Sequence, residues 1–149
     1  MSHFLNDMRY LWARRHIRLI IFLLGFFIRL SIVIFRKTYT YIEYTEVVNI
    51  ARSLASKGTF SDAFFNTGPT AHASPLYPVL LSAVFRIFGM GVAGELAQEV
   101  LNSSVSSLLY ALLPSLASVS GIGVEAGVLA GLVGALVPVN FWCDTKGSF

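Results

Sequence analysis

Cysteine occurs once in this chain, at Cys143, so no intrachain disulfide can staple it. Histidine is almost as scarce. His3, His16 and His72 are scattered, and no Cys/His cluster has metal-ligand spacing, so no metal site is expected. Charge is thin: 13% of the 149 residues are Asp, Glu, Lys or Arg, against 55% hydrophobic. That balance excludes an ordinary soluble domain, in which about a quarter of residues are charged. P-loop, nucleophile-elbow and zinc motifs are all missing. The net charge of +3 does not mark a nucleic-acid binder, because the clustered arginines abut an apolar run without any recognition motif.

What the chain has instead is apolar length. Residues 19–35 form a run broken only by Arg29, roughly 26 Å long as a helix. The run exceeds a typical signal-peptide core and no small-x-small cleavage site follows it, so it reads as a retained anchor. Arg9, Arg14, Arg15 and Arg18 precede it, opposed only by Asp7, which puts residues 1–18 in the cytoplasm as a basic head. Arg29 would cost about 2.5–3.5 kcal/mol facing lipid at mid-depth. It is expected to face protein or reach for the outer headgroups, and a partner beyond this chain is one way to satisfy it.

Further spans are expected within 94–142, the second over about 94–118 with Pro114 inside it and the third over 124–142. Gly127, Gly131 and Ala135 stand four apart on the third, a small-residue row suited to close helix packing. Glu95 and Glu99 lie near the start of the second span, where the helix dipole favours negative charge. Residues 143–149 carry no assignable structure and read as a chain that stops early. The fold expected is all-α: a polytopic membrane protein with 19–36 as first span, about three spans in all, and two interfacial helices in the outer loop 37–93.

In that loop, Thr40-x-x-Glu43 fits a capping box and Gly58 a helix stop, giving a first interfacial helix over 41–57. Val47, Ile50, Ala51 and Leu54 make its apolar stripe, with Glu46 and Asn49 at the border and Arg52 facing away. The second, over 75–88, starts with Ser74 as N-cap and Pro75 at the first helical position. Between the two helices lies a Gly/Pro/aromatic segment in which Asp62 is the only formal charge between Gly58 and Phe85. So rigid and apolar a loop beside a span suggests a surface for a lipid-linked ligand. Glu43 has a structural duty in the capping box. Glu46 has none and is the better candidate for acid/base chemistry.

The order of these features resembles a known family. The helix Glu46-Val47-Val48-Asn49-Ile50-Ala51-Arg52-Ser53-Leu54 is followed by Gly58-Thr59-Phe60-Ser61, Gly68-Pro69-Thr70-Ala71, Pro75-Leu76-Tyr77-Pro78 and Phe85-Arg86-Ile87-Phe88-Gly89. This series resembles the N-terminal part of bacterial GT-C membrane glycosyltransferases, the polyprenyl-phosphate-sugar-dependent group. That group includes protein mannosyltransferase-like and aminoarabinose transferase-like enzymes. The resemblance implies an inverting transfer on the outer face of the inner membrane. It assigns Glu46 the acceptor-activating role with Glu43 in reserve, and has Gly68, Pro69, Thr70, His72, Pro75 and Tyr77 shape the donor or acceptor pocket. It implies a polyprenyl-phosphate-sugar donor, membrane lipid and a downstream-encoded remainder as partners. It names no cofactor and leaves open a divalent metal. The alternative is a small non-catalytic membrane protein packing on a larger partner through the glycine row and Arg29.

Overall fold

The computed structural model describes the backbone of residues 2–42, 44–64, 66–71 and 73–137, and their side chains from residue 16 onward. Glu43, His72, the end of the expected third span and the 143–149 tail lie outside the described residues. Five α-helices account for the described regular structure: α1 (Ser2–Arg36), α2 (Glu46–Lys57), α3 (Leu76–Phe88), α4 (Val92–Val119) and α5 (Val124–Leu136). A short 3-10 helix, Thr38–Thr40, follows α1, and no strand is formed among the described residues. Contacts divide the described residues into two compact units, one of residues 2–32 and 101–137, the other of 33–100.

Among the described residues, two helical segments are long and apolar enough to cross a bilayer, His16–Arg36 and Val92–Val119. In each, 22% of the apolar window is buried. Leu19, Ile20, Phe27, Leu108, Leu109 and Leu116 are instead more than half exposed. A soluble core helix would bury such side chains, so these faces are suited to lipid. At 13 residues α5 extends only about 20 Å, short of a hydrocarbon core.

The first unit packs α1, α4 and α5 around Ile21, Ala111 and Ala135, with Ile17, Phe22, Tyr110 and Leu132 against them. The small-residue row does what its spacing predicts. Gly127, Gly131 and Ala135 are all buried. A Cβ on Gly127 would lie 2.6 Å from Pro114 Cα and 2.7 Å from the Leu113 carbonyl oxygen. At Gly131 it would meet the Tyr110 carbonyl oxygen at 2.8 Å, the very acceptor that Pro114, lacking an N–H, leaves unused inside α4. Backbone atoms cannot swing aside as side chains can. Gly127→Val is therefore expected to lower stability by about 1–3 kcal/mol or more. Gly91→Ala, with nothing within 4 Å of the added methyl, should be near neutral. Thermal unfolding in detergent micelles compares the two, and equal midpoints would refute the close approach.

Arg29 faces protein, at 7% exposure. Its guanidinium donates to the Gly25 carbonyl (3.3 Å) on its own helix and to the Gly134 carbonyl (3.3 Å) at the end of α5. Its Cζ lies 5.0 Å from the Tyr110 ring centroid. Two carbonyls and a π-face solvate the cation within the chain, so no outside partner is needed for that purpose.

The second unit is built on α2 against α3. Val48, Ala51, Leu81 and Phe85 form its core, with Ala55, Tyr77, Val84 and Met90 packed alongside. Ile50 and Ala51 are buried as the stripe predicts, but its flanks differ from the expected ones. Val48 and Ser53 are buried, while Val47 and Leu54 are only partly so. The helix also starts later than a capping box at Thr40 would have it. Thr40 Oγ1 donates to the Lys37 carbonyl (2.7 Å), closing the 3-10 turn, and Thr45 is the N-cap, its carbonyl accepting from the Asn49 N–H (2.9 Å). Gly58 ends α2 as expected, in the left-handed conformation (φ 73°) that glycine adopts without strain. In α3 the N-cap is Pro75 rather than Ser74, because the Val79 N–H makes its bond to the Pro75 carbonyl (3.1 Å). Pro78, in the first turn, would have had no intrahelical acceptor for an N–H.

Arg52 does not face away. Its guanidinium pairs with Glu95, a residue wholly buried in the first turn of α4. It also donates to the Met90 carbonyl (3.3 Å) and lies 4.9 Å over the Phe85 ring. One side chain thus joins α2, α3 and the start of α4. The helix dipole alone does not explain Glu95: its countercharge comes from 43 residues earlier.

Candidate functional site

The segment between α2 and α3 is folded on itself by backbone pairing. Ser61 and Pro69 bridge antiparallel. The Asp62 N–H donates to the Gly68 carbonyl (2.9 Å) and the Thr70 N–H to the Phe60 carbonyl (3.1 Å). Asp62 and Asn66 both take left-handed backbone (φ 63° and 60°), which short polar side chains tolerate best after glycine.

Asp62 locks this turn. Its Oδ1 accepts from the Gly68 N–H (3.2 Å), and its Oδ2 from Lys57 Nζ (2.7 Å), Ser53 Oγ (3.1 Å) and Ser61 Oγ (3.2 Å). The Ser53 and Ser61 hydroxyls also lie 2.8 Å apart, and since each carries one proton, one of the two is shared between this contact and Asp62. The Lys57 ammonium, then Ser53, the Gly68 amide and Ser61, outweigh partial burial and lower the carboxyl pKa to about 2. So acidic a group is a poor proton acceptor at neutral pH, which makes Asp62 a structural lock and not a base. Because its folded value lies below the ordinary 3.8, its contribution is complete above that pH and fades as pH falls through about 2. The expected outcome is that Asp62→Asn reduces the hydrogen-exchange protection of the Gly68 amide at pH 7. The gap from wild type should close as pH drops from 3.8 towards about 2. A gap independent of pH would refute the lock.

Glu46 is the first residue of α2, partly buried, with Oε1 screened from solvent. Asn49, one turn on along the same face, donates to the Ala63 carbonyl (3.2 Å) and the Tyr44 carbonyl (3.5 Å). Glu46 therefore stands on the side of α2 that the loop covers. The loop is fastened to α2 at both ends, by Asn49 near the start and by Ser53 and Lys57 towards the finish. Glu46 lies about 10–16 Å along the helix axis from those two anchors.

The expected pocket residues separate accordingly. Gly68, Pro69 and Thr70 belong to the Asp62 turn, with Pro69 exposed and the other two partly buried. Pro75 is exposed at the head of α3, and Tyr77 leans on the α2–α3 core. Glu43 and His72 lie outside the described residues. No group of three or more His, Cys, Asp or Glu able to hold a metal is present among the described residues.

Reading the sequence alone missed the Asp62 lock and the Arg52–Glu95 pair. A Lys and an Asp flanking the helix-ending Gly58 were a legible signal for the first. Nothing local signalled the second. No family model, curated protein or solved structure matches this chain.

Proposed function

We propose that this chain is the N-terminal portion of an inverting membrane glycosyltransferase of the GT-C type, moving a sugar from a polyprenyl-phosphate donor to an acceptor. The work takes place on the outer face of a bacterial inner membrane. The N-terminus is cytoplasmic, α1 and α4 are spans, α5 begins a third, and α2 and α3 lie at the outer interface. Glu46 removes the acceptor proton. The segment containing Gly68, Pro69, Thr70, His72, Pro75 and Tyr77 shapes the pocket, and Glu43 is the reserve base.

The observation that carries this reading is the setting of Glu46. It heads α2 on the loop-facing side, with one carboxylate oxygen screened from water. A carboxylate held at the head of a helix beside the loop is placed as a general base must be. The exposed Leu76, Val79, Leu80 and Ile87 of α3 add support, since they suit a bilayer boundary.

The test is a glycosyl-transfer assay on membranes carrying this chain, with and without the segment encoded downstream, using labelled polyprenyl-phosphate sugars. Transfer only with both pieces is the expected result. Absence of transfer in both, with the chain stably inserted, would overturn the proposal in favour of a non-catalytic packing subunit. That second reading draws on the exposed Leu129, Val133 and Leu136 of α5.

A further inference from the structure

The first unit carries a groove unrelated to Glu46 and its loop. A cavity of about 610 Å³ is lined by His16, Arg18, Leu19 and Phe22 of α1 and by Leu108, Ala111 and Leu112 of α4. A smaller one of about 270 Å³ shares Arg18 and adds Ile17 with Pro114, Ser115 and Ser118. The two helices run antiparallel here: Arg18 Nη1 donates to Ser115 Oγ (3.1 Å), while seven residues on, Gly25 abuts Ser107. This register sets the depth of each lining residue. Arg18 and His16 stand at one end, and the floor formed by Leu19, Phe22, Leu112 and Leu108 runs roughly 10 Å beyond Arg18, towards the level of Gly25.

That floor is left open by the described residues. Leu19, Leu108 and Leu112 are 52%, 51% and 49% exposed. Arg18 is the last charge before the uninterrupted apolar run 19–28, so it marks where the apolar zone of α1 begins. The Ser115 hydroxyl holds its guanidinium at that boundary, and Arg14 and Arg15 precede it in sequence. A groove with a fixed cation at the water-side end and a purely apolar floor complements a molecule with an anionic head and an alkyl chain.

We infer that this groove binds one anionic phospholipid of the bilayer, with its phosphate on Arg18 and His16 and the upper part of an acyl chain along Leu19, Phe22, Leu108 and Leu112. Under the orientation proposed above, this site belongs to the cytoplasmic leaflet. It does not depend on the chain being part of a transferase.

The test is native mass spectrometry of the full chain released from detergent containing either phosphatidylglycerol or phosphatidylcholine. The wild type is expected to retain one phosphatidylglycerol with about tenfold preference, equivalent to about 1.4 kcal/mol. Arg18→Gln should bring the preference to within about twofold, while Arg18→Lys, which keeps a point charge for the phosphate, retains most of it. Leu112→Trp, which fills the floor, should weaken retention of both lipids. Equal retention of the two lipids by the wild type would overturn the inference. So would an Arg14→Gln/Arg15→Gln variant that loses as much preference as Arg18→Gln, since a diffuse basic surface would then suffice. Should Arg18→Gln lose helicity, Leu112→Trp decides: unchanged lipid retention in that variant refutes the groove.

Discussion

Arg52→Leu is expected to destabilise the second unit by about 3–5 kcal/mol, the scale found when one partner of a buried ion pair is removed. Glu95 is wholly buried, and the guanidinium is the countercharge that offsets its desolvation. The same substitution removes the bond to the Met90 carbonyl and the stacking over Phe85, so contacts to α3 and to the start of α4 are lost together. Arg52→Leu/Glu95→Leu should recover much of the loss, because two apolar side chains of similar volume carry no uncompensated charge. Thermal or denaturant unfolding in micelles, followed by circular dichroism, gives the comparison. A double variant as unstable as the single would mean that the pair matters through its packing and not its charge.

The second large effect concerns chemistry. In the assembled enzyme that the proposal requires, Glu46→Gln should lower transfer by about 10²–10⁴-fold, the usual contribution of a positioned general base. The amide keeps the size and polarity of the side chain at the head of α2, so insertion and helicity should not change. Loss of rate with unchanged donor binding is the expected pattern, since a base acts in the transition state and not in the ground state. Transfer kept within about threefold would remove Glu46 from the mechanism and pass the test to Glu43→Gln. Asp62 is no substitute at neutral pH, because its pKa of about 2 leaves little proton affinity for that task.

Local patterns in the chain were informative wherever the controlling physics is local. The apolar run after the basic head, the Gly58 stop and the four-residue spacing of Gly127, Gly131 and Ala135 all declare themselves in consecutive residues. The structure holds each of them where the pattern puts it. Caps were less legible. Thr40 satisfies a capping-box pattern, yet its hydroxyl closes a 3-10 turn and Thr45 starts the helix. Several Ser and Thr residues compete for such a role, and the winner depends on how the chain enters the helix. In α2, Ile50 and Ala51 are buried as periodicity predicts, while the flanks of the stripe differ for a related reason. Val47 and Val48 are equally apolar, and only docking on α3 selects Val48 for the core.

Composition and periodicity by themselves therefore determined that this is a helical chain with apolar segments of membrane-spanning length, and where several of its helices break. Backbone hydrogen bonding and water-to-apolar transfer act over a few residues, so a short stretch of sequence suffices to read them. Tertiary structure alone decided which charges are structural. Arg52 finds Glu95 from 43 residues away, Asp62 becomes a turn lock through Gly68 and Lys57, and Arg29 is solvated by the Gly134 carbonyl and the Tyr110 ring. The energy of a charge depends on what surrounds it in space and on how much water is excluded. Neither quantity is written along the chain.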